Sequence, residues 1–369
     1  MKIALFLGAG ASAPLGKPTT IDFKKTLSSK IKPDSISYWF VNHYGYNDAE
    51  EVLQGIREIK DFWEGYGGQF LRHSHKLFVR DSEKKEISFD DFVNDISTLE
   101  RTIHDEVFEA YRWNHKSESN LTLIYSEILP FLRESSEKIM IFTTNYDRAI
   151  EEYCGKRDHT FRCMDGFLLD KQSERFVWGE MRYAPSSEKN ITNVFLHKLH
   201  GSLGWKEHVD SGTVNIERTS EESRPTDKNY RDSIIIFPTL TTKDRHQLEP
   251  FNHLREQFEG YMNKADVCIV IGFSFRDNHL KKIFRDFIAG EKKLIIISPT
   301  AESDYNNNLL MDVQKTSDGQ DKTIVKAFYG DTQVHFIEMP MNPETIKEII
   351  RDVKRIIQPE KPHSNPQNT

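Results

Sequence analysis

The chain begins with a short apolar run that stops abruptly at a glycine, and this junction restricts the possible folds more than any other feature. The run IALFL covers residues 3–7, and GAGAS follows it directly at residues 8–12. Five apolar residues bounded by glycine are typical of a buried strand in a parallel sheet. Glycines after such a strand allow a sharp turn and remove β-carbons that would keep other groups away from the backbone. We expect a helix to follow this turn.

Further apolar runs share this character, since they are rich in β-branched residues and do not alternate with polar ones. They cover residues 138–144, 194–199, 233–237, 266–272, 293–298 and 334–338, and helical patterns separate several of them. Runs of this kind form strands that are covered on both faces. The sequence therefore predicts an α/β fold with a Rossmann-like, doubly wound and mostly parallel sheet.

The stretch over residues 31–136 differs from the rest of the chain. It contains few strand signals, and its apolar residues recur every three or four positions, which places them on one face of a helix. The clearest examples are Phe89, Phe92, Ile96 and Leu99. We interpret this stripe as core packing and predict a helical insertion, or cap, after the first strand–helix unit.

Polar segments set the remaining boundaries. Residues 206–232 are polar and predict a long loop or a small hairpin. Residues 359–369 follow a terminal helix and predict a disordered tail. Because no internal repeat is present, we expect residues 1–358 to form a single domain that contains the insertion.

Charge and hydropathy exclude several classes of protein. The formal net charge of −7 argues against direct nucleic-acid binding, which needs clustered Lys and Arg. The basic segment KKIFRDF at residues 281–287 is better explained as the exposed face of a helix. No apolar run is long enough to span a membrane, and the N-terminal run is too short for the core of a signal peptide. We therefore expect a cytoplasmic protein without a membrane segment.

The cysteines point the same way. The chain has three, Cys154, Cys163 and Cys268, and none of them forms a C-x-x-C pair. An odd number without such pairs disfavours both a disulfide framework and a thiolate zinc module. We therefore expect reduced thiols and no metal site.

Small or polar residues follow each predicted strand. These segments are GAGAS (8–12), TTNYD (143–147), LHGS (199–202), GFSFRD (272–277) and SPT (298–300). Ligands of doubly wound sheets bind beyond the carboxyl ends of the strands, so we expect these segments to converge on one crevice. A glycine-rich turn before a helix N-terminus suits NAD, FAD or a phosphate.

In their order and spacing, these segments resemble the sirtuin-like NAD-consuming enzymes. The resemblance runs from residue 3 to about residue 300. It rests on GAGAS with the following Gly16-x-Pro18, on Asn145-x-Asp147, on His200-Gly201 and on Gly272-x-Ser274.

The resemblance implies a binding role for most of these residues. The residues that would hold the NAD pyrophosphate are Gly8, Ala9, Gly10 and Ser12. Gly272 and Ser274 would close over the phosphates and the adenine side, and Asp147 would help to hold the nicotinamide carboxamide.

The resemblance also implies two catalytic residues. Asn145 would orient the nicotinamide ribose or a water molecule, and His200 would be the general base. Breaking the glycosidic bond of NAD develops positive charge at the ribose, so the site needs a hydrogen-bonding group beside the sugar and a base near neutral pH. Histidine has an unperturbed pKa in that range. Structural alternatives remain: Asn145 and Asp147 could cap the helix DRAIEEY, and His200 could be a turn residue.

Departures from the family's motifs reduce the set of reactions that we expect of this chain. Deacylating sirtuins carry two C-x-x-C zinc pairs after the catalytic histidine, whereas this chain has only Cys268 between His200 and Gly272. Thr19 and Thr20 also replace the family's Asp-Phe after G-x-P. The chain therefore resembles the zinc-free bacterial branch, which hydrolyses NAD to nicotinamide and ADP-ribose as the effector of anti-phage defence.

This interpretation implies that the activity is regulated, because an enzyme that always depletes NAD would be lethal to the cell. We expect a homo-oligomer, or an activating partner such as a defence ATPase or a nucleotide-sensing subunit. The alternatives are a non-catalytic NAD or ADP-ribose sensor, and a sirtuin-like ADP-ribosyl transferase or deacylase. A Rossmann oxidoreductase is a further alternative, because Gly8-x-Gly10-x-x-Ala13 fits its fingerprint, but Asp34 follows a poor strand.

Overall fold

A parallel sheet lies at the centre of the molecule. The computed structural model describes residues 1–33, 35–43, 45–46, 48–64, 89–156, 160–171, 173–179, 190–210, 213–219, 230–236, 249–290, 292–315, 321–325 and 334–358. The strands in this part of the chain are β1 Ile3–Leu7, β2 Ile139–Thr143, β3 Phe161–Met164, β4 Phe167–Asp170, β5 Arg175–Trp178, β6 Thr192–Lys198, β7 Gly201–Asp210, β8 Thr213–Arg218, β9 Tyr230–Ile235, β10 Val267–Ile271, β11 Lys293–Ile297, β12 Met311–Lys315, β13 Asp321–Val325 and β14 Val334–Ile337.

Helices cover this sheet or form a separate layer. They are α1 Thr20–Lys30, α2 Ile36–His43, α3 Ala49–Glu64, α4 Phe89–Tyr111, α5 Glu118–Ser135, α6 Ala149–Cys154, α7 Phe251–Met262, α8 Asn278–Ala289, α9 Ala301–Asp304 and α10 Ile346–Ile357. In the part of the chain that the structure describes, no helix is long and apolar enough to cross a membrane.

The central sheet has seven strands in the order β14-β11-β10-β1-β2-β6-β3, and every neighbouring pair is parallel. The chain leaves β1 toward β2 on one side and returns to β10 on the other, so the order reverses between β1 and β10. This is the doubly wound, Rossmann-like arrangement that the sequence predicts, and the fold-class prediction is confirmed. A crevice is expected at the carboxyl end of this reversal.

The two faces of β1 explain how the core is divided. Side chains alternate across a strand, and Ile3, Leu5 and Leu7 pack against α5 and α10 in one apolar cluster. Ala4 and Phe6 face the opposite way and pack with residues of α7 and α8 in a second cluster. Because both faces of the strand are buried, the run IALFL contains no polar residue.

One predicted strand lies elsewhere. The run at 233–237 corresponds to β9, which belongs to a separate five-stranded sheet with the order β4-β5-β8-β7-β9. Its partner β7 is antiparallel to it. The prediction that this run joins the doubly wound sheet is wrong, because an apolar run alone does not reveal the direction of its partners. The parallel strand β3 was not predicted, since FRCM is short and contains an arginine.

The segment predicted as a polar loop or hairpin is largely strand where it is described. Within residues 206–232, β7 continues to Asp210, and β8 pairs with it from Thr213 to Arg218. Residues 220–229 lie outside the described residues, as does the predicted tail at 359–369. The hairpin of β7 and β8 therefore begins directly after the candidate base, His200.

Helices α1 to α4 form their own apolar cluster. It contains Phe23 and Leu27 of α1, together with residues of α2, α3 and α4. From the predicted stripe, Ile96 and Leu99 are buried in this cluster, and Phe92 packs against it. The side chain of Phe89 lies outside the described residues. Helix α5 also falls within 31–136, but it packs on the parallel sheet.

Candidate active site

A cavity of about 490 Å³ lies at the carboxyl ends of the central strands. Of the residues given a catalytic or binding role from the sequence, those that line it are Ala9, Gly10, Asn145, His200, Gly272 and Ser274. Three others, Gly8, Ser12 and Asp147, are not part of this lining and lie behind it. The segments that follow β1, β2, β6 and β10 thus converge on one space.

The glycines after β1 allow the backbone to approach the turn after β10. The amide of Gly8 donates to the carbonyl of Ile271, and the amide of Gly10 donates to that of Gly272, both at 2.9 Å. Gly272 has φ +63°, and a β-carbon there would lie 2.4 Å from the backbone nitrogen of Ala11. A side chain cannot be accommodated at this distance. These glycines are therefore required first of all for close backbone packing between the turn after β1 and the turn after β10.

The helix expected directly after GAGAS does not form. Two 3₁₀ turns, Ala9–Ala11 and Ala13–Leu15, occupy that position, and Gly16 ends them in a left-handed conformation with φ +74°. The first α-helix, α1, begins only at Thr20, where the Thr19 hydroxyl accepts a hydrogen bond from the amide of Asp22. Thr19 and Thr20 nevertheless line the cavity, so the N-terminus of α1 faces it.

The Asn145 side chain has a fixed orientation. Its Nδ2 donates to the carbonyl of Gly8 and to Oγ of Ser12, both at 2.9 Å. Its backbone amide donates to Oγ1 of Thr143 at 3.0 Å. These contacts hold Nδ2 of Asn145 against the turn after β1. The other polar atom of the side chain is Oδ1, and the residue lines the cavity.

Asp147 is 4% exposed and connects the turn after β1 to the start of α6. Its Oδ2 accepts a hydrogen bond from Oγ of Ser12 at 2.6 Å, and its Oδ1 accepts one from the amide of Ala149 at 3.0 Å. The second contact satisfies the amide of Ala149, the first residue of α6, although the N-cap position itself is occupied by Arg148.

A buried lysine completes this network, and sequence reasoning missed it. Lys198, at the end of β6, is 1% exposed. Its Nζ donates to the backbone carbonyl of Asp147 and pairs with Oε1 of Glu151 at 3.2 Å. A buried cation needs such partners to offset its desolvation. The signal in the sequence is a lysine within the strand end VFLHKL, which is apolar apart from Lys198 and His197.

His200 is paired with an acid that the sequence analysis did not assign to the site. Its Nε2 lies 2.9 Å from Oδ2 of Asp277, and the two side chains are 3% and 4% exposed. Oδ1 of Asp277 accepts the amides of His279 and Leu280 at the start of α8. Asp277 thus holds the histidine with one oxygen and caps a helix with the other.

The charge state of Asp277 follows from these contacts. Burial raises the pKa of its carboxyl group, but the hydrogen bond and charge of His200, together with the amide of His279, outweigh burial and lower the pKa overall. Asp277 is therefore a carboxylate, and its Oδ2 accepts a hydrogen bond from Nε2 of His200. In the neutral imidazole, a hydrogen bond from Nε2 to this carboxylate corresponds to the tautomer in which Nδ1 carries no proton.

A second contact joins the cavity to the helical layer. Arg276 lines the cavity and lies 2.7 Å from Oδ2 of Asp48, a buried residue at the start of α3. The turn after β10 is therefore tied to helices α1 to α4 by an ion pair.

A second acid lines the cavity, and its pKa shifts in the opposite direction from that of Asp277. Asp304 of α9 accepts a hydrogen bond from Oγ1 of Thr300 at 2.7 Å. Burial raises its pKa, while the hydroxyls of Thr300 and Ser298 oppose the shift. All three residues line the cavity. Among the described residues, no group of three or more His, Cys, Asp or Glu side chains could hold a metal ion.

Comparisons with known proteins give one family match. A family model described as SIR2-like domain matches residues 139–317, a range that contains Asn145, His200 and Asp277 but does not reach β1. No curated protein matches the chain at a significant level.

Similar solved structures are also known. One is a Sir2 homologue in complex with NAD, 13% identical, covering 96% of this chain and 90% of that chain, with a TM-score of 0.43. Another is a mutant Sir2 homologue in complex with ADP-ribose, 14% identical, covering 98% and 94%, with a TM-score of 0.43. A third is Sir2Tm bound to a propionylated peptide, 13% identical, covering 95% and 93%, with a TM-score of 0.39. At these identities and TM-scores the likenesses carry no information about ligand or reaction.

Proposed function

We propose that this protein is an NAD hydrolase that releases nicotinamide and ADP-ribose. The observation that carries the proposal is the buried His200–Asp277 pair at the wall of a cavity that Asn145 also lines. A histidine held in one tautomer by a carboxylate is the arrangement of a general base. The match of residues 139–317 to the SIR2-like family model supports NAD as the substrate.

The cavity has features suited to a dinucleotide. The N-terminus of α1, at Thr19 and Thr20, offers a place for a pyrophosphate, whereas the amides of Gly10 and Gly272 already donate to backbone carbonyls. Gly272 and Ser274 would contact the phosphates and the adenine side. The nicotinamide ribose would lie toward Asn145 and His200, which face the cavity from the ends of β2 and β6.

The reaction breaks the bond between C1′ of the ribose and the nicotinamide nitrogen. The electron pair of this bond goes to the nicotinamide ring, which loses its positive charge and leaves. A water oxygen bonds to C1′, and its proton goes to Nδ1 of His200, either directly or through a ribose hydroxyl. The carboxylate of Asp277 stabilises the resulting imidazolium, and Oδ1 of Asn145 orients the water or the ribose.

The contacts behind the cavity suggest a revised role for two residues. Ser12 and Asp147 are buried and hydrogen-bonded to each other, and Oγ of Ser12 accepts a hydrogen bond from the side-chain amide of Asn145. We therefore assign them the positioning of Asn145 rather than contact with the pyrophosphate or the carboxamide.

The biological role that fits this activity is anti-phage defence by NAD depletion in the cytoplasm. It is supported by the resemblance of the motifs to the zinc-free bacterial branch. Such a role requires an off state, so we propose control by self-association or by an activating partner protein. The ion pair between Arg276 and Asp48 is one route by which the helical layer could affect the site.

Three other functions compete with hydrolysis. A pure NAD or ADP-ribose sensor needs the cavity but has no use for a base, so the His200–Asp277 pair favours an enzyme. An ADP-ribosyl transferase or a deacylase would use nearly the same residues, because only the nucleophile differs.

Product analysis separates these possibilities. Purified protein is incubated with NAD, with and without an acetyl-lysine peptide, both alone and in lysate of phage-infected cells. Equal amounts of nicotinamide and ADP-ribose support hydrolysis. Nicotinamide with ADP-ribose attached to protein indicates a transferase, and acetyl-ADP-ribose indicates a deacylase. Binding of NAD without any product, even in infected lysate, would favour the sensor.

A further inference from the structure

The cavity at the ends of the central strands has a second end, away from β2 and β6, where the chain leaves β11 and β14. The residues that line this end with polar groups are Ser298, Thr300 and Asp304, and those that line it with apolar groups are Pro340 and Met341. In the sheet order β11-β10-β1-β2, three strand spacings separate β11 from β2. At about 4.8 Å per spacing this is about 14 Å, so the two ends can hold different parts of one ligand.

The proposed function, on which this inference rests, would place the adenosine half of NAD at this second end. If the nicotinamide ribose lies at Asn145 and His200, the pyrophosphate crosses the ends of β1 and β10, and the adenosine reaches the ends of β11 and β14. A ribose needs hydrogen-bonding partners for its hydroxyls, and an adenine ring needs apolar surface. The residues after β11 and β14 offer both.

Asp304 has one oxygen available for a ribose hydroxyl. Its Oδ2 accepts hydrogen bonds from Oγ1 of Thr300 at 2.7 Å and from Oγ of Ser298 at 3.4 Å. The backbone amide of Asp304 donates to the carbonyl of Thr300 at 2.8 Å, which holds the residue in place. Among the described residues, Oδ1 of Asp304 has no hydrogen-bond or ion-pair partner. A carboxylate at the ribose of a dinucleotide can accept a hydrogen bond from the 2′-hydroxyl.

The charges that line the cavity, counted with their partners, leave Asp304 without a salt bridge. The other charged side chains in the described lining are Arg276 and Asp277. Arg276 pairs with Asp48 at 2.7 Å, and Asp277 is held by His200. Arg276 also acts on Asp304 from a distance, where it lowers the pKa of this carboxyl group against the larger, raising effect of burial. A phosphate on the ribose would add about 1.5 to 2 negative charges beside this carboxylate.

We propose that Asp304 makes the site selective for NAD over NADP. Its Oδ1 would accept a hydrogen bond from the 2′-hydroxyl of the adenosine ribose, and its charge would repel the 2′-phosphate that NADP carries at the same position. Arg276 would favour a 2′-phosphate, but its pairing with Asp48 offsets its charge.

Binding of ADP-ribose and of ADP-ribose 2′-phosphate tests this directly. They are what glycosidic cleavage leaves of NAD and NADP, so neither ligand is consumed during a calorimetric titration. We expect the wild type to bind ADP-ribose about 100-fold more tightly than its 2′-phosphate, and Asp304→Asn to reduce this preference to about tenfold or less. Asn keeps an oxygen that can accept from Thr300, so the melting temperature should stay close to that of the wild type.

The matched control is Glu302→Gln, which removes one negative charge from an exposed position of the same helix, α9. This variant should keep the preference of the wild type. Equal binding of the two ligands by the wild type, an unchanged preference in Asp304→Asn, or an equal loss in Glu302→Gln would each overturn the role of Asp304. A preference that disappears only in Asp304→Asn supports it even if the wild type releases no nicotinamide from NAD, a result that would count against hydrolysis alone. Saturable binding of neither ligand would overturn both proposals.

Discussion

Nε2 of His200 and Oδ2 of Asp277 lie 2.9 Å apart, although 77 residues separate them in the chain. His200 follows the end of β6, and Asp277 precedes α8, so the doubly wound topology is what brings them together. Because Asp277 is also the N-cap of α8, the orientation of the histidine depends on a rigid helix end rather than on a loop.

Asp277→Asn separates the catalytic contribution of this residue from its structural one. Asn is also a favoured N-cap, so we expect a change in unfolding free energy below about 1 kcal/mol. The hydrogen bond to Nε2 would then favour the wrong tautomer of His200, and turnover of NAD should fall by about 10²- to 10⁴-fold. Steady-state kinetics and urea denaturation measure the two effects. Unchanged turnover would rule out a role for the pair in catalysis.

Gly272→Ala tests the close approach of the turns after β1 and β10. The new β-carbon would lie 2.4 Å from the nitrogen of Ala11, at a position with φ +63°. We expect a loss of at least about 3 kcal/mol in unfolding free energy, or no folded protein. The matched control is Gly260→Ala in α7, where a β-carbon meets nothing within 4 Å. That variant should gain up to about 1 kcal/mol. Equal melting temperatures for the two variants would contradict this account.

Lys198→Met tests the buried pair behind the cavity. The side chain of Glu151 is 9% exposed, so removing its cationic partner leaves a nearly buried charge uncompensated. We expect a loss of about 3 to 5 kcal/mol in unfolding free energy. The double variant Lys198→Met/Glu151→Gln should recover part of this loss, because the orphaned charge is gone. A double variant no more stable than the single one would show that the pair is not the cause.

His197 should make stability depend on pH. Burial, with a smaller contribution from His253, lowers its pKa to about 3. The unfolded chain titrates near pH 6.5, so between these values the unfolded state binds one more proton and stability falls as the pH drops.

The expected size is about 2 kcal/mol between pH 7.5 and pH 5. His197→Gln should remove this component, whatever constant effect it has through the ring contact with Phe142. Urea midpoints at several pH values give both curves. Parallel curves for wild type and variant would show that His197 does not titrate in this way.

The central sheet could be predicted because its strands are buried on both faces. Ile3 to Leu7 and the runs near 140, 269 and 295 are almost entirely apolar, and the run near 196 is apolar up to His197, so the strands and the crevice at their ends could be predicted. The antiparallel sheet was harder to predict. Its strand β7 mixes Lys206 and Glu207 with buried Trp205, and its pairing depends on partners distant in the chain.

The candidate site could be predicted only in part. Asn145 and His200 follow apolar strands, which made them visible. Asp277 and Lys198 act through partners 77 and 51 residues away, and nothing in their local sequence reveals those partners. The glycines after β1 were interpreted as space for a ligand, whereas their nearest neighbour is the backbone of Gly272.

The most direct test of the central claim is to measure NAD binding and NAD turnover in parallel for the wild type and His200→Ala, under conditions in which the wild type is active. If His200 is the base, the variant should bind NAD with a similar Kd and release nicotinamide about 10²- to 10⁴-fold more slowly. Full turnover by His200→Ala would contradict the assignment of the base and, with it, the proposed mechanism of hydrolysis.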